Sequence, residues 1–304
     1  MSRLPHLSPS AYRRVTLVAL VALCAIIVTG GAVRLTGSGL GCSDWPGCEE
    51  SRFVAPLELH PMVEFVNRLI TGVVSAAIAL AVLGSLRRSP RRRDLTLLSL
   101  GLVAGVVGQI VLGAFTVEFD LAPPFVMGHF LLSLVLVANA VVLHERAADL
   151  QPVAVEPRTR RLTLALVPAL ALAVLAGTVV TGTGPHGGDE EARRFGFDIE
   201  SVTRVHSLAV LAFVGLLLVV LGLAGREGAP AAFVERARQL LAVTCAQATI
   251  GWVQWFAGVP ALLVGLHILG ATLTWWAAWR LALLVARAPA PVAAVQERPL
   301  VAVG

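Results

Sequence analysis

Lysine is absent from this 304-residue chain, so all 24 of its Lys/Arg positions are arginine. Charge of either sign is scarce at 14%, against 57% hydrophobic residues, where a soluble domain carries about 25% charged residues. That shortage excludes a water-soluble fold of this length. The arginines are split among short polar segments and build no single face, so the pI near 9.8 reflects topology and excludes a nucleic-acid surface. No apolar stretch alternates with period two, which excludes a membrane β-barrel.

What is present is apolar sequence in long runs. Eight stretches, 15–33, 62–86, 95–117, 125–143, 162–182, 202–224, 240–257 and 261–285, are close to the roughly 20 residues a helix needs to cross a bilayer. The first has flanking Arg13 and Arg14 but no small-residue cleavage site after it, and reads as a retained helix. Arg87 to Arg93, Arg146 to Arg161, and Arg226 to Arg238 flank one side, while Asp44, Glu49, Glu50, Glu118, Asp120, Asp189 to Glu191, Asp198 and Glu200 lie in the other loops. The positive-inside rule makes the arginine-rich side cytoplasmic, so both termini are expected inside, and the expected location is the cell (plasma) membrane.

These patterns predict an all-α membrane protein of eight transmembrane helices, arranged as two tandem four-helix bundles related by a pseudo-two-fold axis along the membrane normal. The expected parts are an N-terminal half at 1–144, a polar cytoplasmic linker at 145–161, a C-terminal half at 162–287 and a disordered tail at 288–304.

A repeat supports the division. QIVLGAFTVEFDLAPPFVMGH contains Gln109, Gly113, Pro124 and His129, and QATIGWVQWFAGVPALLVGLH contains Gln247, Gly251, Pro260 and His267, 138 residues later except that Pro260 is shifted by two. Each copy carries an imidazole to about 8–10 Å inside a membrane helix. His206 lies just inside the sixth stretch, so His206 and His267 project at matched depth, as bis-histidine haem ligation requires. Core histidines bonded to neighbours are the plainer reading, but ionisable groups in a bilayer are costly and usually functional.

The first half is an imperfect copy. HPMVEFVNRLITG places Glu64, Asn67 and Arg68 where a partner ligand belongs. His60 precedes Pro61, which biases it away from helical dihedrals and into a loop. Glu64 has two readings, an acid favoured near a helix N-terminus or a proton-handling carboxylate. Arg34 and Arg204 adjoin Gly-rich or histidine-bearing segments and suit carboxylates such as haem propionates, with pairing to Glu49, Glu50 or Glu200 as the alternative. Cys42 and Cys48 share the outer loop GSGLGCSDWPGCEE, where disulfides persist, free thiols or a metal being the other readings. Cys24 and Cys245 read as buried thiols, His6, His144 and the inner arginines as solvated flanks, and the five tryptophans from Trp252 to Trp279 as interfacial belts and core. No role is assigned to His186.

RLTGSGLGCSDWPGC, EFVNR, the QIVLG…GH block, VTGTGPHGGD, RVH and the QATIGWVQ…LH block together resemble the haem A synthase family, in order from Gly30 to His267. The resemblance implies that His206 and His267 bind a cofactor haem b. It further implies that His129, with Asn67, Arg68 and His60, faces substrate haem O, that Glu64 and His129 are catalytic, and that Cys42 and Cys48 are disulfide-bonded. The implied reaction oxidises the C8 methyl of haem O to the formyl of haem A, using oxygen and a ferredoxin-like or other electron donor. Haem O synthase and terminal oxidase assembly factors are implied partners within the lipid bilayer. Two departures stand out: the family's E-x-x-H-R motif has Asn67 in the histidine position, and the second half lacks a cysteine pair. The competing readings are a diheme b-type electron-transfer subunit, which predicts four lasting axial ligands, and a repeat-built transporter, which predicts polar residues at mid-membrane.

Overall fold

The structure is a computed structural model, and it describes residues 6–42, 47–48 and 54–286. The expected tail at 288–304 lies outside the described residues, as do Asp44, Glu49 and Glu50. Among the described residues eight helices follow in order: α1 Pro9–Leu35, α2 Leu59–Arg87, α3 Arg93–Glu118, α4 Pro123–Ala147, α5 Pro157–Thr183, α6 Ile199–Arg226, α7 Ala231–Phe256 and α8 Ala261–Val285. Among the described residues the only β pairing is an isolated bridge between Leu7 and Arg88.

Most helices outrun their apolar stretches at the arginine-rich end, because polar residues that need not be buried still continue a helix. The connection expected at 145–161 shrinks accordingly, α4 running to Ala147 and α5 starting at Pro157. Among the described residues seven helices are long and apolar enough to cross a membrane, which makes this a multi-pass membrane protein. The eighth, α7, falls short because Gln239, Gln247 and Gln254 interrupt it. It nevertheless packs between α6 and α8, and two of those amides lie partly buried among neighbouring helices.

Packing closes α1 to α4 into one cycle of neighbours and α5 to α8 into another. Among the described residues the backbones of α2 and α4 stay apart, as do those of α6 and α8, so each pair faces the other across its cycle. The two sets meet where α8 packs on α1 and α4, and where α4 meets α5. Three polar contacts fasten this seam. Trp275 donates its indole N–H to Leu134 O at 2.8 Å, and the buried Glu145 of α4 accepts from Arg236 at 3.1 Å and Arg280 at 2.9 Å.

The arginine-rich end is therefore not simply solvated. Arg88 is buried, Arg92 reaches Asp94 and Asp149, and His144, expected as a flank, bonds through Nδ1 to Thr16 Oγ1 of α1 at 3.0 Å. Hydrogen bonding to Asp94 raises the Arg92 pKa above its ordinary value. Cys24 is buried as expected, whereas Cys245 is exposed on the face of α7 turned away from its neighbours.

The repeat extends into the backbone. Asp120 and Leu121 between α3 and α4 have φ of 49° and 56°, and Gly258 and Val259 between α7 and α8 have 78° and 58°. Hydrogen bonds correspond pair by pair: Leu121 N to Thr116 O at 2.8 Å matches Val259 N to Gln254 O at 2.7 Å, and Asp120 N to Val117 O matches Gly258 N to Trp255 O, both 3.2 Å. Ala122 and Pro260 are the equivalent N-caps. The pairing of Pro124 with Pro260 expected from sequence is corrected by this register.

Candidate functional site

His129 and His267 each stand six residues after the start of their helices, about 9 Å along at 1.5 Å per residue. Each is seated the same way. Gln109 donates from Nε2 to His129 O at 3.0 Å, and Gln247 to His267 O at 2.8 Å. A glycine one turn on from each glutamine, Gly113 or Gly251, faces the imidazole. The sequence spacing is thus a packing unit in which an amide fixes the helix and a missing Cβ admits a ring.

Across the second cycle, His206 on α6 faces His267 on α8, ring centres 6.4 Å apart and planes at 79°. His206 Nδ1 lies 2.9 Å from Ala173 O. A carbonyl can only accept, so Nδ1 carries the proton and Nε2 keeps a lone pair. A backbone carbonyl behind one nitrogen is the usual way to orient an imidazole whose other nitrogen binds metal. Both rings are clamped from behind: a Cβ on Gly177 would stand 3.0 Å from His206 Cε1, and one on Gly251 2.9 Å from His267 Cε1.

The spacing fits a shared metal atom. With metal–nitrogen bonds of about 2.0 Å and about 1.1 Å from nitrogen to ring centre, two imidazoles on opposite sides of one atom have centres about 6.2 Å apart. Among the described residues no three His, Cys, Asp or Glu side chains converge as a bare ion would need. Two imidazoles alone would suit a macrocycle that brings further nitrogen ligands of its own.

In the first cycle, α2 faces α4. Asn67 occupies the place of His206, since a Cβ on Gly30 of α1 would meet Asn67 Nδ2 at 4.0 Å much as Gly177 of α5 meets His206. Asn67 Oδ1 and His129 Nδ1 are both buried without a hydrogen-bond partner. His60, expected in a loop, belongs to the first turn of α2. A proline there lacks only an N–H that the helix does not use, and Ser38 Oγ holds His60 Nδ1 at 3.0 Å.

Glu64 is 7% exposed. Its Oε2 accepts the Cys42 N–H at 2.8 Å and its Oε1 accepts from Arg68 at 2.5 Å, while Arg68 also donates to Gly47 O. The pair pins to α2 the loop closed by the Cys42–Cys48 disulfide, and the two half-cystines pack with Ala55, Met62 and Phe65. Arg34 crosses from α1 to donate to Thr181 O at 2.7 Å. Arg204 is exposed and pairs with Glu200 at 3.2 Å, the alternative foreseen for it. His186 donates from Nε2 to Val259 O at 2.8 Å, since a carbonyl can only accept. That bond ties the outer loop to the α7–α8 turn. In the same loop the Ser201 hydroxyl, and then its amide, hold the exposed Asp198 carboxyl below its usual pKa.

Sequence reasoning missed Ser38, Gly177 and the Ala173 carbonyl. A carbonyl has no sequence signal, and Gly177 departs from the offset that links the other repeated residues.

The profile of the COX15-CtaA cytochrome oxidase assembly proteins matches residues 13–185. The chain belongs to this family. It is 30% identical over 174 residues to a protein named heme A synthase from Lysinibacillus sphaericus, covering 54% of this chain and 56% of the relative. It is 28% identical over 184 residues to heme A synthase of Shewanella oneidensis, covering 54% of each. The matches span about half the length of these relatives. A protein of Halobacterium salinarum named protoheme IX farnesyltransferase is 30% identical over 127 residues, 42% of this chain and 28% of that one.

Proposed function

We propose that the protein is a haem A synthase that oxidises the C8 methyl group of haem O to a formyl group. The carrying observation is the His206–His267 pair, two imidazoles 6.4 Å apart across one cycle of membrane helices, in a family whose relatives bear that name. In this reading 162–287 is the cofactor half and 1–144 the substrate half. The repeated turn and the repeated glutamine–imidazole seat support a parallel two-fold relation between them.

His206 and His267 would hold haem b, which supplies one-electron transfer when bound. The chain's own part there is positional. The Ala173 carbonyl and Gly177 set the His206 ring, and Gln247 and Gly251 set that of His267. The substrate half is looser: Gly113 leaves 3.7 Å to His129 Cε1, against 2.9 Å at Gly251. Slack suits a group that must leave, as tight packing suits one that stays. His129 faces the substrate, with His60, Asn67 and Arg68 across the cycle, and Glu64 handles protons beside the disulfide loop. Arg34 offers a guanidinium whose Nε is buried and unpaired, suited to a propionate, and Arg204 stands near the cofactor half for the same purpose.

Oxygen and an external electron donor complete the reaction. A similar segment inside a longer protein named for farnesyl transfer to protohaem IX supports a neighbouring enzyme that makes the substrate. The inner-side arginines support a plasma-membrane location with cytoplasmic termini. Pigment extraction from membranes making haem O, with and without the protein, tests the reading. Haem A is expected only with the protein, and its absence in both rejects the assignment.

A further inference from the structure

The two halves place different side chains at one structural position, and the difference has a ligand consequence. In the second half α6 presents His206 opposite His267. In the first half α2 presents Asn67 at the same place, behind which Gly30 stands as Gly177 stands behind His206. Imidazole is a good ligand for haem iron, whereas a neutral amide oxygen belongs with hard cations. The side-chain oxygen of Asn67, Oδ1, is buried and has no partner, so it is kept out of water without a structural bond to justify its burial.

The other imidazole near this side is His60. It sits seven residues, two helical turns, before Asn67 on α2 and is held by Ser38 at 3.0 Å. That places it about 10 Å further toward the helix start, out of register with His129.

We propose that Asn67 makes the first half a one-imidazole site: His129 is the sole protein ligand to the substrate iron, and the opposite coordination position, facing the Asn67 amide, stays open to a small diatomic molecule. The proposal rests on the reading that the first half takes haem. An open position is what oxygen chemistry requires and a bis-histidine site denies. The amide's N–H groups can donate to a molecule bound there without competing for the iron.

The test uses the full chain purified with haem bound, read by haem content, electron paramagnetic resonance and carbon monoxide binding. Wild type should show a low-spin signal that depends on His206 and His267, together with a high-spin, carbon monoxide-reactive signal lost in His129→Ala. Asn67→His should convert the second signal to low spin and abolish carbon monoxide binding, while the signal that depends on His206 persists and reports a folded protein. Asn67→Ala, which removes bulk only, should stay high-spin and reactive.

Haem content separates the two failures. If His129→Ala leaves haem content unchanged, the functional reading of the first half fails and this proposal with it. If His129→Ala halves haem content but the wild-type first site is low-spin and unreactive, the proposal alone is overturned. A low-spin first site that becomes high-spin in His60→Ala would identify His60 as the second ligand and equally overturn it.

Discussion

Replacing Gly251 by alanine should cost the protein its cofactor, while the same change at the equivalent Gly113 should be tolerated. An alanine Cβ at 251 would lie 2.9 Å from His267 Cε1 and 3.4 Å from its Nδ1, whereas at 113 the nearest ring atom of His129 is 3.7 Å away. The second distance is ordinary van der Waals contact. The first requires the His267 ring to retreat by about 0.5 Å, and overpacking of this kind costs about 1–3 kcal/mol. Because the ring is a ligand, the cost appears as weakened haem retention, roughly 5- to 150-fold at about 1.4 kcal/mol per factor of ten. At 113 the helix-propensity gain of alanine, about 1 kcal/mol, is left unopposed. The assay is haem b per chain after detergent washing, with the low-spin absorption as a second readout. Gly177→Ala, 3.0 Å from His206 Cε1, should resemble Gly251→Ala. Full haem b in Gly251→Ala, or a loss in Gly113→Ala as large, would refute the argument that the second half clamps its imidazoles and the first does not.

His206→Ala and His267→Ala should each remove the low-spin haem b spectrum, and His129→Ala and Glu64→Ala should lose haem A formation with most haem b retained; a haem b spectrum that survives both second-half changes rejects the ligand assignment. Glu145→Gln leaves Arg236 and Arg280 facing a neutral partner and should destabilise the seam between the helix sets by about 2–4 kcal/mol, below the 3–5 of a fully enclosed pair because the Arg280 side chain is 38% exposed. Thermal unfolding in detergent checks this, and an unchanged midpoint argues against it. Val259 is β-branched with φ of 58°, where a left-handed backbone costs about 1–2 kcal/mol, so Val259→Gly should raise the unfolding midpoint once glycine's entropy of about 0.5–1 kcal/mol is subtracted. A lowered midpoint would mean that the Val259 side chain matters more than its backbone.

The helices were legible because membrane solvation forces apolar runs of fixed length, and the predicted and observed segments differ chiefly by extensions at the arginine-rich end. The Gln–Gly–His repeat was legible because its function needs three side-chain identities in register. The turn between repeated helices was not: Asp120 and Leu121 share their conformation with Gly258 and Val259, and four dissimilar residues conceal one backbone geometry. Prolines misled for the same reason, since Ala122 and not Pro124 corresponds to Pro260. His60 is helical despite preceding Pro61 because a proline in the first turn forfeits only an N–H the helix does not use, a local fact that the general bias before proline hides. His144 and Glu145 look like a polar helix end in one dimension. Only the approach of α1, α7 and α8 turns them inward.

Both oxygens of Glu64 are engaged, one by the Cys42 amide and one by the Arg68 guanidinium. A base needs a lone pair directed at the proton it takes, and here the best-directed ones already hold the outer loop down. The carboxylate therefore works as a latch between α2 and the outer loop. Cys42 is both the donor of that N–H and one end of the disulfide, so a single side chain of α2 holds both half-cystines, the second through the covalent bond alone.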